Sequence, residues 1–314
     1  METLIYVISS IVVAIGIVYT LISFYIARSL YHPMRRSLLE TKAMEDERHP
    51  GIMARYDMWV KEAFTVSSRY GYDLKAYYIA APKPSKKFVI IAHGYTYTHH
   101  GSVKYAVSMR KQNYNVIMYD EPFHGESEGK HTTLGYYEKD DLETIITYVT
   151  MTYGDDIILG LYGESMGAAT SLLEQADDDR IDFVIADCGF ADLWDLMAYQ
   201  LKEFHHLPPR VFLPAANFFF KRITKADIKD ISPIKAVKKA KTPIFFVHGE
   251  ADEYIPQEHS IRMYEACPSK KDILIIGNQA EHAQSWGKNT AVYEERLFVF
   301  LEDVEDEIIL KQES

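Results

Sequence analysis

Short, almost wholly apolar runs alternate with longer amphipathic stretches from about residue 57 onward, and this alternation is the strongest constraint on the fold. Strands that are apolar on both faces are typical of a parallel sheet covered by helices. The predicted strands are Phe88–Ala92, Asn115–Tyr119, Ile157–Tyr162, Phe183–Ala186, Ile244–Val247 and Ile273–Ile276. The predicted helices span residues 101–112, 137–151, 166–176 and 288–306. The pattern predicts an α/β three-layer sandwich in a domain of residues 57–314.

Two segments depart from this alternation. Phe64–Ser68 and Leu74–Ala80 flank a short polar turn and predict an antiparallel hairpin before the parallel strands. Residues 190–240 are helical in character, rich in aromatic side chains and too long for a simple crossover. We interpret them as a small helical lid inserted over the strand ends. For any single aromatic residue, ordinary packing inside the insertion is an equally good interpretation.

A G-x-S-x-G motif, Gly-Glu-Ser-Met-Gly at residues 163–167, directly follows one predicted strand and opens a predicted helix. The motif alone is weak evidence, but a strand–turn–helix setting makes it specific for a nucleophilic serine. Glycines relieve crowding in the turn, so the hydroxyl of Ser165 can stand clear at the carboxyl edge of the sheet. The N-terminus of the following helix favours negative charge developing there.

A serine hydroxyl needs a base held by a third group, and two later loops supply candidates for both. Asp252 follows the strand at 244–247, and His282 follows the strand at 273–276. The chain order Ser, Asp, His is the one expected if these residues form a triad at one sheet edge. Glu250 and Glu253 remain alternatives to Asp252. The sequence therefore predicts Ser165, His282 and Asp252 as a catalytic triad.

Acyl transfer also needs hydrogen-bond donors for the developing oxyanion. The backbone N–H of Met166, directly after the serine, is one predicted donor. The second is the backbone N–H of Tyr95, in the loop after the strand at 88–92, although the Tyr95 side chain has pocket lining as an alternative role. His99 and His100 are interpreted as solvated loop residues. We expect no metal site, because no His, Cys or Asp spacing is typical of one.

With these residues in place, the sequence resembles the α/β-hydrolase superfamily, especially its bacterial esterase/lipase-like and acylaminoacyl-peptidase-like serine hydrolases. The segments that carry the resemblance are His93–Thr96, Asp120 with His124–Ser127, Gly163–Thr170, His248–Pro256 and His282. The resemblance implies an α/β-hydrolase fold with a mostly parallel central sheet, the triad named above and cofactor-independent hydrolysis through an acyl-enzyme. One departure is the sequence Glu-Pro-Phe at residues 121–123, where many relatives carry an arginine and a glycine.

The N-terminal residues 3–27 contain no charged side chain and are long enough to span a bilayer. A cleaved signal peptide is disfavoured because no basic residue precedes the run and no cleavage site follows it. A buried core helix is the other alternative. Basic residues follow the run and none precedes it, which predicts a single-pass anchor in the cell membrane with the catalytic domain in the cytoplasm. Residues 28–56 are interpreted as a juxtamembrane stalk.

The formal net charge of −11 disfavours nucleic-acid binding, and two cysteines do not make a disulfide framework. The sequence thus predicts a membrane-anchored serine hydrolase that cleaves a small acyl ester, with a lipophilic acyl group suggested by the aromatic lid. A peptidase or amidase with the same triad is the first alternative, because the chemistry of both reactions is shared. A membrane-tethered binding scaffold without catalysis is the second.

Overall fold

One eight-stranded sheet organises the chain, which a computed structural model describes over residues 1–312. Its strands are β1 (Glu62–Ser67), β2 (Asp73–Ile79), β3 (Lys87–Ala92), β4 (Asn115–Tyr119), β5 (Ile158–Glu164), β6 (Phe183–Asp187), β7 (Ile244–Gly249) and β8 (Lys271–Ile276). They lie in the order β1-β2-β4-β3-β5-β6-β7-β8. β2 pairs antiparallel with both β1 and β4, and every later pairing is parallel. The predicted hairpin and mostly parallel sheet are confirmed.

Helices cover both faces of the sheet. The helices of residues 1–312 are α1 (Glu2–Tyr31), which lies away from the sheet, α2 (Leu38–Arg48), α3 (Ile52–Asp57), α4 (Val103–Lys111), α5 (Glu138–Tyr153), α6 (Met166–Glu174), α7 (Leu193–Glu203), α8 (Pro209–Thr224), α9 (Pro233–Val237), α10 (Glu258–Ala266), α11 (Ser285–Lys288) and α12 (Thr290–Gln312). Two large apolar clusters fill the layers between sheet and helices. Alternate residues of β3 enter opposite clusters, because successive strand side chains point to opposite faces.

The inserted segment 190–240 is helical, as its sequence indicates, and comprises α7, α8, a short turn at Ile228–Asp230 and α9. A third apolar cluster lies beneath it and includes residues of α1. The aromatic side chains of the insertion divide between two environments. Phe220 is fully buried, whereas Phe218 is 65% exposed. We call residues 190–240 the lid.

Residues 28–56 do not form a separate stalk, because α2 and α3 pack against the domain that contains the sheet. Ser37 caps α2 in a reciprocal arrangement with Glu40, a pattern readable from the sequence. The side chain of Glu45 is buried and accepts a hydrogen bond from the Tyr97 hydroxyl at 2.8 Å. Burying a carboxylate is costly unless it is paired, so these contacts fix α2 on the domain rather than leaving it as a spacer.

The long N-terminal helix α1 has two parts with different surroundings. From Leu4 to Leu21 its side chains are exposed apart from a half-buried Tyr19. From Ile22 to Tyr31 one face packs against the lid, with Ile26 and Leu30 buried. The helix is long and apolar enough to cross a bilayer, and none of its most apolar window is buried in the protein.

Candidate active site

Ser165 lies in a sharp turn between β5 and α6, with a backbone φ of +56° and ψ of −112°. A non-glycine residue in this region of backbone conformation is strained, and such strain is typical of functional turns. The flanking glycines are required sterically. A Cβ at Gly163 would lie 2.1 Å from the carbonyl oxygen of Gly167, and one at Gly167 would lie 2.2 Å from that of Ala92. The turn therefore depends on the small residues of the G-x-S-x-G motif.

His282 lies between Ser165 and Asp252. Its Nε2 is 2.9 Å from the Ser165 Oγ, and its Nδ1 is 2.7 Å from the Asp252 Oδ2. The backbone N–H groups of Tyr254 and Ile255 donate to the Asp252 Oδ1 at 3.0 and 2.8 Å, which fixes the orientation of the carboxylate. The structure thus brings the three residues selected from the sequence into one hydrogen-bonded chain.

The electrostatic surroundings keep Asp252 ionised. Burial acts to raise its pKa, but hydrogen bonds from His248 and His282 outweigh this effect and lower the pKa to about 2. The His248 Nε2 lies 3.2 Å from the Asp252 Oδ2, while its Nδ1 lies 2.7 Å from the Ser260 Oγ. His248 was not among the sequence-predicted site residues, although its place at the end of β7, four residues before Asp252, is readable from the sequence. An ionised Asp252 can hold the imidazole of His282 and stabilise its cation.

The two glutamates left open as alternatives have other contacts. The Glu250 Oε1 accepts a hydrogen bond from the backbone N–H of Gln279 at 3.2 Å. Glu253 lines a polar cleft beside the site. Within residues 1–312, Asp252 is the carboxylate that lies within hydrogen-bond distance of His282. The geometry therefore favours Asp252 over both glutamates.

The loop after β3 lies against the serine. A Cβ at Gly94 would be 3.6 Å from the Ser165 Cβ, so this backbone passes close to the nucleophilic side chain. Met166 is the first residue of α6, where helix N–H groups have no partner inside the helix. The Tyr95 side chain does line the site, and its hydroxyl donates to the carbonyl oxygens of Ser29 and Leu30 at the end of α1. The oxyanion roles of the Tyr95 and Met166 N–H groups remain predictions.

Two cavities meet at Ser165, and they differ in polarity. The first, of about 790 Å³, is open and lined by charged side chains. These are Arg36, Arg48, Glu164, Glu253 and Glu281, and the His282 ring also lines this cavity. The second, of about 470 Å³, is mainly apolar and lies between α1 and α7. Its walls include Ile22, Tyr25, Ile26 and Leu30 of α1 and Leu196, Met197 and Leu201 of α7. Ser165 lines both cavities.

Similarity to known proteins agrees with this geometry. A family model described as serine aminopeptidase, S33, matches residues 83–213. The uncharacterized protein YqkD of Bacillus subtilis is 35% identical over 297 residues, which make up 94% of each chain. The chain belongs to the α/β-hydrolase superfamily.

Two further similarities are more distant. The hydrolase superposes on the Pyrococcus furiosus esterase Pf2001 with a TM-score of 0.65 and 22% sequence identity, over 79% of this chain and 94% of that one. At this level of sequence identity, the structural superposition establishes a shared fold. The Saccharomyces cerevisiae membrane protein YNL320W is 27% identical over 164 residues, which make up 51% of each chain.

A buried polar network lies beneath the serine of this hydrolase, and sequence reasoning missed it. Lys104 of α4 forms an ion pair with Glu164, the residue before the serine. The Tyr105 hydroxyl lies 2.7 Å from the Glu164 Oε2 and 2.9 Å from the Asp187 Oδ2, and Tyr293 donates to the same Asp187 oxygen at 3.0 Å. Burial acts against a charged Lys104, but the neighbouring carboxylates outweigh this effect and raise its pKa. The network therefore supports the turn that carries Ser165.

One cluster offers ligand atoms suited to a metal ion. Within residues 1–312, Cys188, Asp252 and His282 present such atoms within 4.8 Å of one another. Burial and the neighbouring Asp187 raise the pKa of the Cys188 thiol well above its ordinary value, whereas metals bind the thiolate. Asp252 and His282 already hydrogen-bond each other. Asp252 and His282 are therefore better explained as members of the hydrogen-bonded chain to Ser165 than as metal ligands, and the protonated thiol of Cys188 does not suit a metal centre.

Proposed function

We propose that this α/β-hydrolase is a membrane-anchored serine hydrolase that cleaves carboxylic esters through an acyl-enzyme on Ser165. The observation that carries the proposal is the hydrogen-bonded chain from Ser165 through His282 to Asp252, with distances of 2.9 and 2.7 Å. A base within hydrogen-bond reach of a hydroxyl, and itself oriented by a carboxylate, is the arrangement that activates a serine.

The reaction has two halves. Ser165 Oγ attacks the ester carbonyl carbon while the His282 Nε2 accepts the hydroxyl proton, and Asp252 stabilises the resulting imidazolium. The backbone N–H groups of Tyr95 and Met166 hold the oxyanion, a contribution of about 3 kcal/mol for each donor. His282 then gives its proton to the leaving alcohol. In the second half, His282 takes a proton from water as the water oxygen attacks the acyl-enzyme carbonyl carbon. His282 then returns this proton to the Ser165 Oγ as the acyl–oxygen bond breaks, which releases the acid and regenerates the serine hydroxyl.

The anchor is α1. It has no charged side chain between Thr3 and Ala27, and a core helix would not leave the apolar residues from Leu4 to Leu21 exposed. The basic residues Arg28, Arg35 and Arg36 follow the run, which favours a cytoplasmic catalytic domain. The naming of the yeast relative YNL320W as a membrane protein agrees with this proposal.

The test is hydrolysis of p-nitrophenyl butyrate by the full chain in detergent micelles. We expect Ser165→Ala to lower kcat by about 10⁴-fold or more while leaving the thermal unfolding temperature near that of the parent protein. Retention of ester turnover in a folded Ser165→Ala variant would contradict the proposal.

A peptidase or amidase with the same residues is the second candidate, and the description of the matching family model as a serine aminopeptidase favours it. Matched acyl esters and aminoacyl anilides distinguish the two. We expect the ester to be the better substrate by kcat/KM, and faster turnover of the anilide would assign the chain to the peptidases.

A further inference from the structure

The C-terminal end of α1 is part of the hydrolase fold. From Ile22 onward it packs along α8 of the lid, where the rings of Phe24 and Phe219 meet edge to face at a centroid distance of 5.6 Å. One turn earlier, the Tyr19 hydroxyl donates to the Val211 carbonyl oxygen at 3.0 Å. An anchor that served only as a tether would not need these contacts.

The same part of α1 also forms one wall of the active site. The apolar cavity that reaches Ser165 is closed on one side by Ile22, Ile26 and Leu30. The Tyr95 hydroxyl bonds to the carbonyl oxygen of Leu30 at 3.1 Å, so the predicted oxyanion loop is attached directly to this helix. The helix therefore contacts both the cavity and the machinery beside it.

The position of the cavity along α1 matches the edge of a bilayer. The exposed stretch from Leu4 to Leu21 has 18 residues, and at 1.5 Å per residue it spans about 27 Å, close to the ~30 Å of a hydrocarbon core. The first cavity-lining residue, Ile22, comes directly after it. Phe218, on the exposed side of α8, is 65% exposed and apolar, as expected for a lid surface that faces lipid.

We propose that α1 and the lid together form the acyl-chain site, and that the substrate is a single-chain amphiphilic ester that enters this cavity from the bilayer. This inference rests on the proposed esterase function. The polar alcohol half of the substrate occupies the first, charged cavity on the other side of Ser165, beside Arg36 and Glu281. The membrane helix is thus a determinant of specificity as well as an anchor. The cavity volume of about 470 Å³ lies in the range that takes one small lipophilic ligand.

The experiment measures kcat/KM for p-nitrophenyl acetate, butyrate and octanoate with the full chain in detergent micelles. Active sites are counted by fluorophosphonate labelling. Each methylene that enters the cavity raises kcat/KM by about fourfold, so octanoate, which has four more methylenes, should exceed butyrate by about 250-fold. Ile26→Trp places an indole in the cavity and should lower the octanoate-to-butyrate ratio by about tenfold or more. The matched control is Leu21→Trp, on the exposed side of the same helix, which should keep the parent ratio.

A second variant, on the α7 wall of the same cavity, keeps the proposal testable if Ile26→Trp does not fold. Met197→Trp, on α7, should lower the same ratio, and fluorophosphonate labelling shows whether each variant retains a folded site. If labelled Ile26→Trp and Met197→Trp keep the parent ratio, or if Leu21→Trp loses it equally, the assignment of the acyl site is wrong while the esterase proposal stands. If the parent protein is not labelled at Ser165, the esterase proposal fails and the acyl site fails with it.

Discussion

Removing the buried ammonium group of Lys104 should destabilise this hydrolase strongly. The Lys104 side chain is 1% exposed and pairs with Glu164, which is 6% exposed, directly before the nucleophile. Two further carboxylates, of Glu45 and Asp187, interact with the same pair, and burial raises the pKa of each of them. Lys104→Met keeps an unbranched apolar side chain as far as the ε position but removes the ammonium group, which leaves the Glu164 carboxylate without its counter-charge.

The expected magnitude follows from this burial. Removal of one partner of a buried ion pair costs about 3–5 kcal/mol of unfolding free energy. For a chain of this size each kcal/mol shifts the unfolding temperature by about 2–4 °C, so the Tm should fall by about 6–20 °C. Tryptophan fluorescence during heating of the full chain in one detergent measures this shift. Lys241→Met removes an exposed pair with Asp179 and should change the Tm by about 2 °C or less.

Two further measurements separate the charge effect from lost packing. Lys104→Met with Glu164→Gln should recover part of the lost stability, because an amide replaces the uncompensated carboxylate. In Lys104→Met alone, the pKa of Glu164 rises above its unfolded value, so the penalty should be smaller at pH 5 than at pH 8. A Tm loss of less than about 2 °C, or a double variant less stable than the single one, would refute the reasoning.

Three other predictions concern the turn, the triad and a buried carboxyl. Gly167→Ala should abolish turnover and lower the Tm, because its Cβ would lie 2.2 Å from a backbone oxygen, whereas Gly16→Ala in α1 meets no atom and should change neither. Asp252→Asn should lower kcat for p-nitrophenyl butyrate by about 10⁴-fold with little change in Tm, and a loss under tenfold would contradict its role. Burial raises the pKa of Asp141 to about 7, so the folded state holds this proton from about pH 4 to pH 7 and stability falls as pH rises through that window. Asp141→Asn should remove this contribution to the pH dependence of the unfolding free energy, as measured by urea unfolding between pH 4 and pH 7. An unchanged pH dependence would show that another group causes it.

The positions of the strands along the chain and the position of the serine turn are readable from the sequence, because both depend on local patterns. Apolar runs indicate buried strands, and the spacing of Gly163, Ser165 and Gly167 indicates a tight turn after one of them. Asp252 and His282 each follow a predicted strand, and parallel strands bring their carboxyl ends to one edge of the sheet. The sequence alone was therefore enough to select three residues that the structure places in contact.

The parts that the sequence did not reveal depend on contacts between distant segments. Lys104 and Glu164 pair only because α4 packs beneath the serine turn, and no local pattern links the two positions. The packing of α2 was missed although Ser37 and Glu40 carry a capping signal, because a capped helix does not indicate what it packs against. Likewise, the uniform apolar run at residues 3–27 does not reveal that Ile26 lies beyond the exposed part of α1 and lines a cavity.

Covalent labelling of Ser165 tests the central claim most directly. The full chain in micelles is treated with a fluorophosphonate, and intact-mass and peptide mass spectrometry locate the adduct. We expect one adduct per chain on the peptide that contains Ser165, and none on that peptide in Ser165→Ala or after heat denaturation. Stoichiometric labelling at another residue, or a native parent protein that does not react, would contradict the claim that Ser165 is an activated nucleophile.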